Sequence, residues 1–150
     1  MTKILRSNFF ESKNTAKIAQ NLLGKFLVRR SRKKTVAYMI TEVEAYCGLE
    51  DKASHAHKGK TKRNEPMFGS ADHWYVYLIY GMYQMLNIVT SPKNYPAAIL
   101  IRGLEGASGP GKLTKKLKIN NFLNNKKAVP KNGLWIEDRG VKIKNIDIKK

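Results

Sequence analysis

Two runs rich in aromatic and β-branched residues, 74–80 and 83–89, flank the dipeptide Gly81-Met82. Such runs favour extended chain, and a glycine-first pair between them fits a two-residue hairpin turn. The tip of that hairpin then carries Tyr80, Met82 and Tyr83. Turns face water and ordinarily hold small polar residues, so large apolar groups there point to a contact surface.

Other elements can be placed around this hairpin. Asn14 or Thr15 caps a helix over 16–23, in which Ile18, Ala19, Leu22 and Leu23 form one apolar stripe before Gly24 stops it. Strands follow at 26–29 and 35–46, joined by the basic turn 30–34. In the second of these, Val36, Tyr38, Ile40, Glu42, Glu44 and Tyr46 share one face, because side chains alternate along an extended chain. A further apolar strand, 97–101, ends in Arg102, and 103–109 reads as a flexible stretch. Pro110 suits the first position of a helix with Leu113 and Leu117 on one face and lysines on the other. The start of that helix, with Lys112 and Lys115 nearby, suits a phosphate. From 120 onward the chain is rich in Lys and Asn, with one apolar anchor at 134–136 and a strand or frayed tail over the last ten residues. Neither repeats nor a domain boundary interrupt it.

A chain of 150 residues makes one domain, and 29 Lys and Arg against 11 Asp and Glu leave a formal charge of +18. That excess calls for a polyanionic partner such as nucleic acid, although basic composition alone suits many proteins. With Cys47 as the one cysteine, no internal disulfide forms. The first residues lack a signal peptide's apolar region, and the long uncharged run 73–92 reads as strands rather than a membrane span, which points to an intracellular protein.

Three constellations carry chemistry. Glu42 and Glu44 suit either one carboxylate working on water or a metal-bound pair cutting a phosphodiester, while the bland alternative pairs both with surplus lysines. His55 and His57 stand two apart, but one thiol and three histidines in all make a poor zinc set. Residues 106–112 resemble a nucleotide phosphate loop until Leu113 replaces the required hydroxyl and Pro110 removes a backbone donor. The polar segment 48–64 adds a basic cluster, Lys58, Lys60, Lys62 and Arg63, which suits a phosphate backbone.

The runs FFESKNTAKIAQNLLGKFLVRR, TEVEAYCGLEDKASHAHKGKTKRNEPMF, YVYLIYGMYQMLNIV, AAILIRGLE and SGPGKLTKKLKIN together resemble the alkyladenine (3-methyladenine) DNA glycosylase family, in order, over about residues 9–120. The resemblance implies an α+β fold: a curved antiparallel sheet with flanking helices and a protruding hairpin that enters the DNA minor groove. Tyr80 matches the wedge that fills the gap left by an extruded nucleotide, with Met82 beside it. Tyr46, His55 and Tyr77 match residues enclosing the flipped base, and Asn87 the residue that excludes guanine. Glu44 matches the general base and Arg102 its partner. A two-residue turn would set Tyr77 and Asn87 on opposite faces, so a twist or bulge must intervene for both to line one pocket.

By this resemblance the chain is a monomer acting on alkylated purines in double-stranded DNA, with neither metal nor cofactor, hydrolysing the N-glycosidic bond without strand cleavage. Lys60, Lys62, Arg63, Lys112 and Lys115 would hold the backbone. The sequence departs from many members in ending soon after LWIEDRG, so residues 1–150 read as a single domain shortened at its C-terminus. Two other classes remain open: a damage-sensing module that binds without excising, and a metal-dependent nuclease using Glu42 and Glu44.

Overall fold

The computed structural model describes residues 2–54 and 56–143. Eight antiparallel strands form one open sheet: β1 (Lys3–Ile4), β2 (Phe26–Ser31), β3 (Lys34–Cys47), β4 (Trp74–Ile79), β5 (Tyr83–Val89), β6 (Ala97–Leu104), β7 (Ala107–Ser108) and β8 (Leu134–Asp138). Their order is β1-β8-β2-β3-β6-β5-β4, with the short β7 on β6. Among the described residues three α-helices accompany it, α1 (Ser7–Phe10), α2 (Thr15–Leu22) and α3 (Pro110–Lys116), so the α+β expectation stands.

The helix α2 begins where the sequence places it. The Asn14 side chain accepts the Lys17 amide at 3.2 Å, which satisfies one of the amides a helix start leaves unpaired. Of the expected apolar stripe, Ile18, Ala19 and Leu22 are buried, while Leu23 falls at the C-cap and is half-buried. The three buried residues meet Leu27, Ile40, Trp74, Leu86, Ile88, Ile99 and Ile101 from the sheet, Leu113 from α3 and Leu117 at its C-cap in one core. Each such side chain contributes about 2 kcal/mol of transfer free energy on burial. Trp74 needs a partner for its ring N–H and donates it to the Leu134 carbonyl at 3.0 Å, tying β4 to β8 across that core.

The long strand β3 joins the two halves of the sheet. Its first half pairs with β2, Phe26 opposite Met39 down to Ser31 opposite Lys34, so the basic turn narrows to Arg32 and Lys33. The second half pairs with β6. Between them the ladder is irregular around Glu42, and alternation changes phase. Val36, Tyr38 and Ile40 pack on the main core before this point, Val43 and Ala45 after it. The unbroken even face read from the sequence is therefore corrected: Glu44 and Tyr46 lie on the side of the sheet opposite the main core. Strand β6 changes phase with it, presenting Ile99 and Ile101 and then Leu104 to the same core. Gly103 permits the close approach, since a Cβ there would stand 3.2 Å from both Glu42 Cβ and Thr41 Oγ1.

The hairpin also departs from expectation. The Met82 amide donates to the Ile79 carbonyl at 3.1 Å, so Tyr80 and Gly81 occupy the centre of the turn, with φ of 52° and 66°. The ladder resumes at Ile79 opposite Tyr83 and sets Tyr75 opposite Asn87 and Tyr77 opposite Met85. Three residues, Tyr80, Gly81 and Met82, thus join the strands where two were expected, and the extra residue changes the parity of the register and puts Tyr77 and Asn87 on one face. The outer edge of β4 is covered, because Val76 N–H donates to Asn124 Oδ1 at 2.9 Å and Arg63 Nη2 donates to the Leu78 carbonyl at 2.8 Å.

Residues 103–109, read as flexible, are instead the end of β6, a turn and β7. The apolar anchor at 134–136 is the heart of β8, which pairs with both β1 and β2. The last part of the expected tail, 144–150, lies outside the described residues.

Candidate nucleic-acid active site

A single row crosses four strands on the face away from the main core. Glu44 on β3 sits opposite Leu100 on β6, Leu100 opposite Asn87 on β5, and Asn87 opposite Tyr75 on β4. Two residues along, on the same face, stand Tyr46 and Tyr77. Here a second, smaller cluster gathers: Tyr75, Val89 and Ala98 from the strands, Met67 from the 3-10 turn Glu65–Phe68 and Ala56 from the loop, with Tyr46 and Tyr77 packed against it. The segment 48–64 covers this face and is built on its own polar bonds. Asp51 accepts the amides of Cys47 and Ala53, each at 3.0 Å, and Asn64 accepts the Thr61 amide at 2.7 Å.

Between loop and sheet lies a cavity of about 30 Å³ lined by Tyr46, Ala53, Met67, Tyr75, Tyr77 and Asn87. That is the share of about one water molecule, so a purine enters only as the lining moves. Burial pushes the Tyr75 hydroxyl up to about 12. Tyr77 is raised by burial too, against the opposing charge of Arg63, whose guanidinium lies 5.2 Å from the Tyr77 ring centroid. Both rings thus stay neutral and electron-rich at physiological pH. Asn87 is buried and donates from Nδ2 to the Tyr75 carbonyl at 3.2 Å, which fixes its amide in the wall.

Glu44 stands at the edge of this pocket with both oxygens engaged. Oε1 accepts the Tyr46 hydroxyl at 2.8 Å, and Oε2 accepts Arg102 Nη1 at 2.7 Å. Burial first, and the Glu44 carboxylate second, push the Tyr46 hydroxyl well above its ordinary range, so it serves as a donor. A carboxylate offers about four lone-pair sites, leaving about two of them for water. Both the Glu44 and Arg102 side chains remain partly open to solvent, at 40% and 44%. Glu42, the other acid of the expected pair, is exposed opposite Gly103. Among the described residues no three His, Cys, Asp or Glu side chains gather as a metal site.

Other expected residues divide. His55 lies outside the described residues, while its neighbours Ser54 and Ala56 are buried. Tyr80 is 87% and Met82 68% exposed at the hairpin turn. Lys62, Lys112 and Lys115 are exposed, and Lys60 Nζ lies 6.0 Å from the Phe68 ring centroid. Arg63 is exposed, donates to the Leu78 carbonyl and lies over the Tyr77 ring. Sequence reasoning missed Tyr75, which shares the parity of Tyr77 and was legible from alternation alone, and Met67 and Ala53, whose sequence surroundings carry no such signal. No described helix is long and apolar enough to cross a membrane.

The profile of the methylpurine-DNA glycosylase family matches residues 8–108, a span from α1 to β7 that contains the whole row and the hairpin. Relatives from Methanocella arvoryzae and Ehrlichia ruminantium are each 44% identical. They cover 95% and 83% of this chain, and 80% and 69% of their own lengths. A Rickettsia felis relative is 42% identical over 93% of this chain and 81% of its own. All three are named "Putative 3-methyladenine DNA glycosylase". Matches of this extent, running through every strand that builds the pocket, settle ancestry: the chain belongs to the methylpurine-DNA glycosylase family.

Proposed function

We propose that this protein is a monofunctional DNA glycosylase that extrudes alkylated purines from duplex DNA and hydrolyses their N-glycosidic bond. The observation that carries this reading is the Glu44 carboxylate at the edge of an aromatic pocket, 2.7 Å from Arg102. A purine alkylated on its ring nitrogen is cationic. The neutral faces of Tyr46, Tyr75 and Tyr77 attract it by about 0.5 to 2 kcal/mol, a preference that an ordinary purine does not receive. The base enters as the lining side chains and the covering loop give way.

Cleavage follows from the charges. The C1′–N bond breaks with its electron pair passing to the cationic base, which leaves neutral, and positive charge develops on the sugar. Glu44 stabilises that charge and accepts a proton from the water that attacks C1′. Arg102 and the Tyr46 hydroxyl hold the carboxylate in place, and Arg102 is also open enough to meet a phosphate of the extruded nucleotide. Tyr80 at the turn fills the vacated stack, with Met82 beside it, offsetting part of the few kcal/mol that unstacking costs. Water is the nucleophile, so the strand stays intact.

Release of 3-methyladenine or 7-methylguanine from methylated duplex, measured by chromatography of the free bases, tests the reading. Wild type releases base and Glu44→Gln does not. If neither protein releases base from methylated, ethenoadenine or hypoxanthine duplexes, the enzyme assignment fails. Nicking abolished by EDTA would instead favour a nuclease.

A further inference from the structure

A basic groove lies outside this site, between the β2–β3 turn and the C-terminal end of α3. It has a volume of about 570 Å³ and a floor that includes Val36 and Tyr38. Arg32, Lys33 and Lys34 line it from the turn, and Lys116 and Lys118 from α3 and its end. None of these five takes part in an ion pair among the described residues, where the pairs are Arg102 with Glu44 and Arg139 with Glu137. Lys116 Nζ lies 4.7 Å from the Tyr38 ring centroid, which places one cation over the floor. Like charges gathered in a concave surface focus a positive potential that a polyanion relieves.

The end of α3 that lines the groove is hydrogen-bonded to the sheet, and its start packs on the hairpin. Arg29 donates to the carbonyls of Leu117 at 3.0 Å, Lys118 at 3.2 Å and Gly133 at 3.1 Å, locking the end of α3 to β2 and β8. At the other end of α3, a Cβ on Gly111 would stand 2.6 Å from Tyr83 Cδ1, and Thr114 Oγ1 donates to the Gln84 carbonyl at 2.8 Å. The helix thus runs from the hairpin to the groove. Seven residues span about 10 Å, or about three base-pair steps of duplex.

We propose that this groove binds the phosphodiester backbone of the same duplex, at phosphates more than about three base pairs from the lesion. The inference rests on the glycosylase reading for its direction, because α3 starts against Tyr83 of the hairpin and ends at the groove. Its role is to anchor the protein on DNA irrespective of sequence or damage, leaving excision to Glu44.

The test compares Lys33→Glu/Lys34→Glu with Lys3→Glu/Lys17→Glu, an equal change of charge on a remote surface, by titration of undamaged duplex over a range of salt. Both variants are checked for an unchanged circular dichroism spectrum and Tm. On a long duplex the groove variant should bind roughly tenfold to a hundredfold more weakly, with a salt slope smaller by about 2. On a short hairpin duplex reaching only about three base pairs to each side of the hairpin contact, it should bind like the remote variant. Single-turnover base release at saturating protein should match wild type. Equal losses in the two variants, no loss in the groove variant, the same loss on the short duplex, or tighter binding of RNA than of duplex DNA would each overturn the groove proposal. None of these outcomes bears on base release, whose absence in wild type sinks the enzyme reading instead.

Discussion

Arg102 Nη1 lies 2.7 Å from Glu44 Oε2, and the pair spans the region where β3 and β6 change phase together. In a regular ladder the two strands would keep one parity along their length. The irregularity around Glu42 and Gly103 turns Glu44 from the core side to the pocket side and leaves Arg102 beside it. The ion pair is half open to water, so its own contribution to stability is small. Its value is positional, since it aims the carboxylate.

Gly103→Ala tests that dependence. The added methyl would meet Glu42 Cβ and Thr41 Oγ1 at 3.2 Å, so the backbone next to Arg102 must shift by a few tenths of an ångström. We expect base release to slow by about tenfold, while stability falls by no more than about 1 kcal/mol. Single-turnover kinetics alongside thermal unfolding give both quantities. Full activity in this variant would show that the phase change tolerates more room than the geometry allows.

Tyr46→Phe keeps the ring in the pocket and removes the 2.8 Å hydrogen bond to Glu44. Loss of a hydrogen bond to a charged group should slow excision by roughly tenfold to a hundredfold, with lesion affinity little changed. Because the Tyr46 hydroxyl titrates far above its ordinary value, it remains a donor through the alkaline range. The pH-rate profile of wild type should therefore show no loss of activity near pH 10 attributable to this tyrosine. An unaltered rate in Tyr46→Phe would leave Arg102 alone to position the carboxylate.

Tyr80 has a φ of 52°, a backbone conformation that costs a non-glycine residue about 1 kcal/mol or more. Its side chain is 87% exposed and gives the fold little in return. Tyr80→Gly should keep Tm within a degree or two of wild type, or raise it slightly, while weakening lesion binding by about tenfold or more. Paired with Glu44→Gln, which should bind lesions and release nothing, it separates an enzyme from a damage-sensing module. In the module, Glu44→Gln changes no measurable step.

Asp72 is buried, one oxygen accepts Ser7 Oγ at 3.3 Å, and the other has no partner among the described residues. Burial pushes its carboxyl up to about 7, against the opposing effects of Lys127 and Ser7. An unfolded aspartate releases its proton near pH 4, so between about 4 and 7 the folded protein holds more protons than the unfolded chain. Stability from this group is complete below about 4 and is lost as pH rises through about 7. Asp72→Asn should flatten that slope and leave the variant more stable than wild type at about pH 8, by at most a few kcal/mol. Urea titrations at about pH 4 and about pH 8 measure it, and parallel stability curves for the two proteins would refute the assignment.

The amino-acid order by itself determined the local elements and the residues available for chemistry. Asn14 starts α2, Pro110 starts α3, and aromatic and β-branched runs make β4 and β5, because caps, proline geometry and strand propensity act within a few residues of each other. The motifs around Glu44, Tyr80 and Arg102 were legible in the same way, through residues kept in order along the chain. Tertiary structure decided which faces these residues share. A loop of three residues, 80–82, in place of two put Tyr77 and Asn87 in one wall, and the joint phase change of β3 and β6 carried Glu44 to the pocket. Register has a period of two and depends on partners far along the chain, so neither outcome could be read from residues that lie next to one another.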